Sequence, residues 1–590
     1  MDKFDLIIKK YYKEIYSSDN SINIKEKINE CKNYLNMEQE IYFSDFYNEI
    51  VKKQKEKGAV YTPRNIVRYI IKNSINKEMI IKNPFIKILD PSCGGGNFVI
   101  ELYKYLFEIY CDNIEMINKI NNLNLNKYML HKHILEKNIY GFDIDKKAIE
   151  ILRLDLWSLI DDNDFSDNIR NDDFLMLDEK EKFDVILGNP PYIGHKSIDK
   201  SYIKNIKEFY CDVYKNKSDL CYCFIKKAKK ICLEEGIVVF IISRYFLEGQ
   251  NAISIRSFIK NNYEIKTIID YYGLRPFKGT GIDPAILFLK NSSCVNKEYN
   301  FQVLRPFLNQ IREKKFNFIS EVDTKKNIHI IKCKFGDLEH ENWIILDEIE
   351  KSIVNKIIRR SNCKLGNLVE SFQGVITGCD KAFIVNEEII NNHKIERDLI
   401  HSWIKSSNID KNKVNKSNLK LIYSNDIKEE IHKNSLNYIE PFKEKLNNRR
   451  ECIRGIRKWY ELQWGRDKES FKKKKIIHPY KSNENRFAID EDGSYFSADV
   501  YGFILAKDIL SYENLTKILN SKIYEFYIKT VLKKLGDYLY EYYPNNLLKI
   551  GILSDLNRFL SCNFTEEELY DFYNLTSKEI EFINQSIKKQ

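Results

Sequence analysis

The segment Asn189-Pro190-Pro191-Tyr192 has the residue types needed to hold a flat chemical group that carries an NH2. The Asn189 side-chain oxygen and the Pro190 carbonyl can each accept a hydrogen bond from that amine. The prolines fix φ and offer no competing N–H, and the tyrosine ring can stack on the group. Two acceptors aimed at an amine draw its lone pair out of conjugation, so the nitrogen can attack an electrophilic methyl group. A simple turn after a strand is the alternative use of such a segment.

A second candidate site lies upstream, where residues 87–98, KILDPSCGGGNF, predict a short apolar strand, a glycine-rich turn and the start of an amphipathic helix. Glycines at such a turn let a nucleotide-like ligand approach the backbone. The acid Asp90 suits a cation, such as the ammonium and sulfonium groups of S-adenosylmethionine. A dinucleotide fits less well, because the spacing is not Gly-x-Gly-x-x-Gly. The candidate cofactor-binding residues here are Asp90, Ser92, Cys93, Gly94, Gly96, Asn97 and Phe98.

Acids also stand at the end of the next predicted strand, residues 138–145, which leads into a predicted helix at 146–159. A carboxylate at the end of the second strand of a doubly wound sheet can accept hydrogen bonds from both ribose hydroxyls. We predict Asp143 for this role, with Ile144 beside it in the cofactor site. Asp145 is predicted to cap the helix.

A third acid, Asp173, follows a polar loop and precedes Phe174. It could accept a hydrogen bond from the adenine amino group of the cofactor while Phe174 flanks that ring. Each of these acids alone is most simply a solvated loop residue. Their succession at strand ends, in the order that a doubly wound sheet requires, favours a common ligand.

These motifs together resemble those of the gamma-class amino-methyltransferases that act on adenine in DNA. The resemblance runs from about residue 58 to residue 290 and includes Gly-Ala-Val-Tyr-Thr-Pro at 58–63. In that family this last segment supports the methionine end of S-adenosylmethionine, which implies a cofactor role for Tyr61, Thr62 and Pro63. The resemblance likewise implies that Asn189 to Tyr192 are the catalytic residues.

The C-terminal region resembles the target-recognition domains of the type IIG restriction-modification group, at residues 371–383, 449–452, 458–462 and 480–487. Taken whole, the chain looks like the orphan adenine methyltransferases associated with sporulation. That resemblance implies a DNA-modifying enzyme without a nuclease, an A-rich asymmetric target site and an epigenetic role in sporulation.

Cations interleaved with aromatics follow in this region, a pattern that suits contact with phosphates and base edges. The alternative is a solvated helix face with its aromatic side chains in the core. The candidate DNA-binding residues are Arg449, Arg450, Arg454, Arg457, Lys458, Trp459, Tyr460, Arg466, Lys481, Asn485 and Arg486.

Length and composition set bounds on the class of protein. The 590 residues predict two or three domains, and 43% hydrophobic with 31% charged residues is typical of a soluble globular protein. A net charge of +10 suits a polyanionic partner. The 13 cysteines include no Cys-x-x-Cys pair and favour a reduced cytoplasmic, nucleoid-associated setting over a disulfide scaffold. No metal site is predicted, and the longest apolar run is too short for a bilayer.

We predict an α/β fold, in which a doubly wound, Rossmann-like methyltransferase domain precedes a mixed α+β DNA target-recognition domain. The expected ranges are a helical N-terminal accessory segment at 1–57, the methyltransferase domain at 58–292, a connector at 293–335 and the recognition domain at 336–590. A long, largely helical insertion is expected at 101–138.

The predicted function is transfer of a methyl group from S-adenosylmethionine to N6 of an adenine flipped out of duplex DNA. The partner is double-stranded DNA, and a single recognition region without repeats predicts a monomer that modifies one strand of a non-palindromic site. The alternatives are an N4-cytosine methyltransferase, an RNA or protein-glutamine methyltransferase, and a bifunctional type IIG enzyme. A cytosine-C5 enzyme needs a nucleophilic cysteine, which usually follows a proline, and the chain has no Pro-Cys dipeptide.

Overall fold

The computed structural model of the chain divides into two compact units, Met1–Ile345 and Leu346–Gln590. Both units mix helices and strands. The described residues are 2–17, 23–47, 62–160, 168–192, 199–215, 218–277, 281–307, 317–326, 328–339, 341–507, 509–536, 538–553 and 564–587.

The first unit alternates strands and helices along most of its length. Its helices are α1 (Asp2–Tyr16), α2 (Ile24–Tyr34), α3 (Arg64–Ser74), α4 (Lys77–Lys82), α5 (Asn97–Asn121), α6 (Leu130–His133), α7 (Lys146–Ile160), α8 (Lys200–Phe209), α9 (Cys221–Ile231), α10 (Ile253–Asn262) and α11 (Phe318–Thr324). Its strands are β1 (Ile88–Asp90), β2 (Ile139–Phe142), β3 (Ile169–Arg170), β4 (Phe183–Gly188), β5 (Cys232–Ser243), β6 (Tyr263–Asp270), β7 (Pro284–Asn291), β8 (Asn300–Pro306) and β9 (Ile328–Lys334).

These strands form one nine-stranded sheet in the order β3-β2-β1-β4-β5-β7-β6-β8-β9. Strands β3, β2, β1, β4 and β5 run parallel to one another. Strand β7 is antiparallel to both of its neighbours, β5 and β6. Apolar clusters cover both faces, as the uninterrupted burial of β1 requires. The order reverses at β1, so β1 and β4 diverge from a topological switch point, where open α/β sheets bind ligands.

The expected helical insertion at 101–138 falls mainly on α5, which continues the helix that starts at the glycine-rich turn. Its apolar residues pack in the same cluster as α3 and α4. The insertion therefore thickens one face of the sheet and leaves the parallel pairing of β1 with β2 intact.

The expected connector at 293–335 instead carries two strands of this sheet. Strand β8 pairs parallel with β6, and β9 pairs antiparallel with β8. The boundary between the units also lies beyond the predicted residue 336. Trp343 is 1% exposed, and its main-chain N–H donates to the Leu247 carbonyl at 2.7 Å. The chain therefore stays anchored in the first unit up to that residue.

The N-terminal helices are likewise part of the first unit and not a separate cap. An apolar cluster joins α1 and α2 to α7 through Ile151, Leu154 and Trp157, all of which are buried. Helix α7 thus presents one apolar face to the sheet and another to the N-terminal helices, and that second face was not recognised from the sequence.

The second unit is a mixed α and β structure, as predicted. Its helices are α12 (Glu348–Arg360), α13 (Asp380–Phe383), α14 (Glu387–Asn392), α15 (Lys433–Ile439), α16 (Lys443–Asn447), α17 (Arg450–Ile453), α18 (Lys468–Lys472), α19 (Tyr512–Asn520), α20 (Lys522–Val531), α21 (Pro544–Leu547), α22 (Glu566–Phe572) and α23 (Ser577–Ile587). Its strands are β10 (Cys363–Lys364), β11 (Val369–Gln373), β12 (Ile384–Val385), β13 (Ile400–Ile404), β14 (Ile409–Asp410), β15 (Lys413–Val414), β16 (Lys420–Ile422), β17 (Lys475–Pro479), β18 (Lys481–Ser482), β19 (Ala488–Asp490), β20 (Tyr495–Phe496), β21 (Val500–Leu505), β22 (Tyr540–Glu541) and β23 (Gly551–Ile552).

Two four-stranded sheets, β11-β21-β17-β19 and β12-β16-β13-β20, organise this unit. An apolar cluster that includes Phe471, Tyr495 and Phe496 spans residues of both sheets. None of the helices in the described parts of the chain has the length and apolar character needed to cross a membrane.

Candidate functional site

Strands β1, β2 and β4 run parallel and side by side, so their carboxyl ends meet at one edge of the sheet. This edge carries Asp90 at the end of β1, Asp143 just after β2 and Asn189 just after β4. The three residues are distant in sequence, and the pairing of the strands alone places them together.

The glycine-rich turn after β1 has the conformation that its sequence requires. Gly94 and Gly96 have φ of 51° and 94°, where side chains other than glycine's are strained. A Cβ on Gly96 would stand 2.1 Å from Leu152 Cδ1 of α7, whereas no heavy atom of the described chain lies within 4 Å of a Cβ built on Gly94. Helix α7 thus packs against the turn at Gly96, whereas the turn is open at Gly94, where a ligand can approach the backbone.

Asp90 is 3% exposed and accepts a hydrogen bond from the Ser92 N–H at 3.0 Å. Burial raises the pKa of its carboxyl to about 8. A Cβ on Gly188 would stand 2.6 Å from Asp90 Oδ1, so the backbone just before Asn189 lies directly against this carboxyl. An unionised carboxyl in such a place is ready to ionise when a cationic ligand enters.

Asp143 accepts hydrogen bonds from the N–H groups of Gly94 and Asp145, each at 2.8 Å. It therefore joins the end of β2 to the glycine-rich turn. Burial raises the pKa of its carboxyl. Asp145 accepts from the Lys147 N–H at 2.9 Å, at the start of α7. The neighbouring Ile144 is 72% exposed and offers an apolar surface beside the turn.

The amide of Asn189 is held in one orientation. Its Nδ2 donates to Thr62 Oγ1 at 3.0 Å, so Oδ1 points away from that bond. Pro190 is buried and Pro191 half-buried. The Tyr192 hydroxyl donates to the Ile241 carbonyl of β5 at 3.1 Å, which anchors the ring at the same edge of the sheet.

Thr62 and Pro63 lie at the start of α3, with Thr62 buried and Pro63 half-buried. Sequence reasoning placed Thr62 in the cofactor site by resemblance, and the structure adds its contact with Asn189. Tyr61, predicted for the same site, lies outside the described residues.

The ring of Phe174 is placed differently from the prediction, whereas the role of Asp173 stays a prediction. Asp173 Oδ1 accepts from the Leu175 N–H at 3.0 Å and from the Tyr202 hydroxyl at 3.2 Å. Phe174 is 2% exposed and stacks on Phe224 in the core, so its ring does not present a face for an adenine. The apolar packing of α9 accounts for the aromatic residue at this position.

The residues present fit S-adenosylmethionine. Ser92 Oγ is buried and has no hydrogen-bond partner within the described part of the chain, beside the open backbone at Gly94. Asp90 offers a carboxyl for the ammonium, and Asp143 offers oxygens to ribose hydroxyls. Cys93 is buried, and its N–H donates to the Phe142 carbonyl at 3.0 Å, so it supports the turn. Asn97 and Phe98 open α5, with the phenylalanine ring in the core.

Two contacts of this edge were not anticipated. Gly188 was not among the predicted site residues, yet its missing side chain is what lets Asp90 lie against the chain. Tyr202 of α8 was not considered, although its hydroxyl contacts Asp173. The glycine just before Asn189 was a readable signal, whereas nothing near Tyr202 in the sequence points to Asp173.

In the second unit, several predicted DNA-binding residues are used internally. Asn485 is 0% exposed and donates to the Leu519 carbonyl at 2.5 Å. Tyr460 is buried, with its hydroxyl on Glu429 at 2.7 Å. Arg486 donates to Ser482 Oγ at 3.0 Å and to the Ile409 carbonyl at 3.2 Å. These three side chains stabilise the fold and are not available to DNA in this conformation.

Arg449 is the most extensively bonded of the predicted cations. Its guanidinium donates to the main-chain carbonyls of Leu446, Thr377, Trp459 and Glu461, at 2.8 to 3.2 Å. It therefore ties the segment around Thr377 to the segment that follows α17. A phosphate contact would require this guanidinium to leave its carbonyl partners.

The remaining predicted cations lie nearer to solvent. Arg450, Arg454 and Lys481 are exposed. Lys458 pairs with Glu429 at 3.0 Å, and Arg466 donates to Gln373 Oε1 at 2.6 Å. Arg457 lies over the ring of Trp464 at 5.9 Å. Trp459 is half-buried beneath Lys443. Lys458 and Arg466 are exposed as well but are engaged by these partners, so Arg450, Arg454 and Lys481 are the cations best placed for phosphate contact.

Three family models match successive parts of the chain. Residues 72–171 match the DNA-methyltransferase domain of MmeI, residues 137–277 match the Eco57I restriction-modification methylase, and residues 404–552 match the TaqI-like C-terminal specificity domain. The predicted fold class, a doubly wound methyltransferase domain followed by a specificity domain, is confirmed.

Relatives of known class extend over most of the chain. The type II methyltransferase M.BanIII of Aneurinibacillus aneurinilyticus is 24% identical over 77% of this chain and 82% of its own length. M.BstVI of Geobacillus stearothermophilus is 24% identical over 90% of this chain and 98% of its own. The solved structure of the type IIL restriction-modification enzyme MmeI in complex with DNA has a similar fold, with a TM-score of 0.64 at 14% identity, and the match covers 95% of this chain and 80% of that one. Methyltransferases of this class use S-adenosylmethionine, the predicted cofactor.

Proposed function

We propose that this chain, a relative of the type II restriction-modification methylases, transfers a methyl group from S-adenosylmethionine to N6 of adenine in duplex DNA. The observation that carries the proposal is the orientation of Asn189. Its amide is held by Thr62 at the end of β4, one residue after the glycine that contacts Asp90. An acceptor for the target amine and a carboxyl for the cofactor's ammonium therefore lie at one edge of the sheet.

The chemistry follows from these acceptors. Asn189 Oδ1 and the Pro190 carbonyl accept hydrogen bonds from the two hydrogens of the target amine. They draw the nitrogen lone pair out of the ring's conjugation and aim it toward the methyl group. The bound cofactor supplies that methyl group on a sulfonium. After transfer, the methylated nitrogen is positively charged and releases one proton to water, because the amide oxygens of Asn189 and Pro190 are too weakly basic to keep it.

The target base must leave the helix, because its amine is engaged in base pairing. Tyr192 offers a ring for the flipped base to stack on, and its hydroxyl bond to Ile241 limits the rotation of that ring. Binding geometry contributes most of the rate, since no covalent enzyme intermediate is required.

Arg450, Arg454 and Lys481 are proposed to contact the phosphate backbone of the duplex, because they are exposed cations of the unit that contains the TaqI-like specificity match. The single specificity region supports a monomer that reads a non-palindromic site and modifies one strand. A palindromic site is usually read by a two-fold dimer. Single-molecule sequencing of methylated DNA tests this, and equal modification of both strands would contradict it.

The decisive test of the reaction uses purified protein, tritiated S-adenosylmethionine and genomic DNA, followed by separation of the nucleosides. N6-methyladenine is expected. N4-methylcytosine would favour the nearest alternative, because an exocyclic amine attacks in both reactions. Label in RNA or protein, with none in DNA, would overturn the proposal.

We further propose that the chain modifies DNA without cutting it. The resemblance of the chain to orphan adenine methyltransferases, which implies an enzyme without a nuclease, supports this proposal. Plasmid DNA incubated with Mg2+ and cofactor should remain intact on a gel. Site-specific fragments would indicate a bifunctional enzyme.

The resemblance to sporulation-associated enzymes extends the proposal to an epigenetic role. Methylated sites mapped in cells with and without the gene, together with spore counts, test this role. Unchanged sporulation in cells that lack the methyl marks would remove it without affecting the proposed reaction.

A further inference from the structure

The N-terminal segment reaches the glycine-rich turn. Residues 43–47 are helical, and a Cβ built on Gly95 would lie 3.1 Å from Ser44 Cβ and 3.7 Å from Ser44 Cα. Ser44 is 1% exposed, so it is enclosed between this turn and its own helix. Gly95 stands between Gly94, which is open to a ligand, and Gly96, which rests on α7.

A buried carboxylate on α7 holds this segment in place. Asp155 is 0% exposed and accepts from the Phe43 N–H at 2.7 Å and from the Ser44 N–H at 3.0 Å. These N–H groups belong to the first turn of a helix, where they have no intrahelical partner, so Asp155 acts as a cap donated by another helix. The same α7 supports Gly96 through Leu152.

A second anchor joins the segment to α3. Asp45 and Arg64 form an ion pair at 2.5 Å, and Arg64 also lies 3.8 Å from Glu101 of α5. Helix α3 follows directly on Thr62, which orients Asn189. The segment therefore contacts the turn predicted to hold the cofactor and the helix beside the catalytic asparagine.

We propose that residues 43–45 are part of the cofactor site, and that Asp155 is a positioning residue that holds Ser44 against Gly95 and so keeps the glycine-rich turn in its binding conformation. Asp155 acts through the hydrogen bonds that it accepts from the main chain of Phe43 and Ser44. The inference rests on the proposed use of S-adenosylmethionine.

Asp155→Asn tests the proposal in the full-length chain. The oxygen of the substituted amide can still accept a hydrogen bond from one main-chain N–H. Its NH2 group faces the other main-chain N–H, which is left without an acceptor. Calorimetric titration with S-adenosylmethionine should show a Kd raised about fivefold, the equivalent of losing one helix cap. At saturating cofactor, kcat should stay unchanged while KM for the cofactor rises.

Leu156→Ala is the matched control, because Leu156 is buried on the same helix but packs in the cluster of the sheet and not in the cluster that contains Phe43. It should lower the melting temperature at least as much as Asp155→Asn, with an unchanged Kd for the cofactor. An equal rise in Kd for both variants would reduce the effect to general stability and overturn the positioning role.

Gly95→Ala provides an independent route that does not depend on Asp155. The added methyl points at Ser44, whose Cβ and Cα are the atoms that the described part of the chain places within 4 Å of it, apart from its own neighbours in sequence. We expect a raised Kd, which Ser44→Gly in the same chain should restore by removing the opposing Cβ. If Gly95→Ala binds cofactor as the wild type does, or if Ser44→Gly fails to restore binding, the proposed contact is wrong.

The wild-type titration separates the two proposals. A wild-type chain that binds no S-adenosylmethionine would remove both. Normal binding by the wild type, by Asp155→Asn and by Gly95→Ala would remove only the role of the N-terminal segment.

Discussion

The two units differ in how the predicted functional residues are used. In the first unit, Asp90, Asp143 and Asn189 meet at one edge of a parallel sheet. In the second unit, the predicted cations separate into an exposed group around Arg450 and an internal group around Arg449. When a motif includes a strand and a turn, these local elements fix where its side chains lie. The position of a cation instead depends on the carbonyls or phosphates that lie near it in the folded protein.

The physical reason lies in the side chains themselves. A glycine-rich turn has few conformations, and each restricts where the acid before it can lie. Arginine has a long side chain and five donors that satisfy main-chain carbonyls as well as phosphates. Each prediction below changes one residue in one of these groups.

The largest effect is expected at Asn189. Asn189→Ala removes the acceptor for the target amine and should lower kcat by about 10²- to 10³-fold. The Kd for the cofactor should stay within about twofold, because Asp90 and the turn are untouched. A tritium-transfer assay and calorimetry measure the two quantities.

Thr62→Val is the graded control for that experiment. It keeps the shape of Thr62 and removes the oxygen that accepts from Asn189. We expect a loss of kcat smaller than that of Asn189→Ala, with recovery in Thr62→Ser. Near-normal transfer by Asn189→Ala would refute the catalytic assignment.

The next effect separates the two groups of arginines. Arg449→Ala removes the side-chain donor shared by four main-chain carbonyls and should lower the free energy of unfolding by about 2–3 kcal/mol. Arg450→Ala, at the adjacent exposed position, should change it by less than about 0.5 kcal/mol. Urea denaturation compares them. An unchanged midpoint for Arg449→Ala would return that residue to a direct role on DNA.

A pH dependence is expected in the first unit. Burial raises the pKa of Asp90 to about 8, so below that pH the cofactor-free carboxyl is mainly protonated. A bound cation favours the ionised form, and binding therefore releases a proton. Below pH 8, the affinity for the cofactor should rise by up to about tenfold per pH unit. Near pH 8, the affinity should level off.

Calorimetry in two buffers of different ionisation enthalpy measures that proton release. Asp90→Asn should bind the cofactor more weakly and release no proton from this position. A wild-type affinity that is constant from pH 6 to pH 8 would contradict the contact between Asp90 and the ammonium.

The smallest effect is expected from the exposed cations. Changing both Arg450 and Arg454 to Ala should weaken DNA binding a few-fold and reduce the salt slope of log K by about 2, since each phosphate contact contributes about 0.9. Fluorescence anisotropy across a salt series measures it, with thermal unfolding as the check on folding. An unchanged slope would place the phosphate contacts elsewhere.

The sequence by itself determined the strands that carry the site and the turn between them. Helix α7 was predicted at 146–159, within one residue of its observed bounds, Lys146–Ile160. Apolar runs that end in an acid or an Asn have few alternatives in a doubly wound sheet. These local patterns were enough for the fold class and for the position of Asp90, Asp143 and Asn189 at the ends of strands.

The tertiary structure alone decided the contacts between distant segments. Two further strands occupy the expected connector, Phe174 belongs to the core, and Arg449 and Asn485 hold loops together. Asp155 lies 111 positions from Ser44, which it holds against Gly95. No periodicity or spacing encodes such contacts, because a buried polar group can be satisfied by any partner that folding brings within reach.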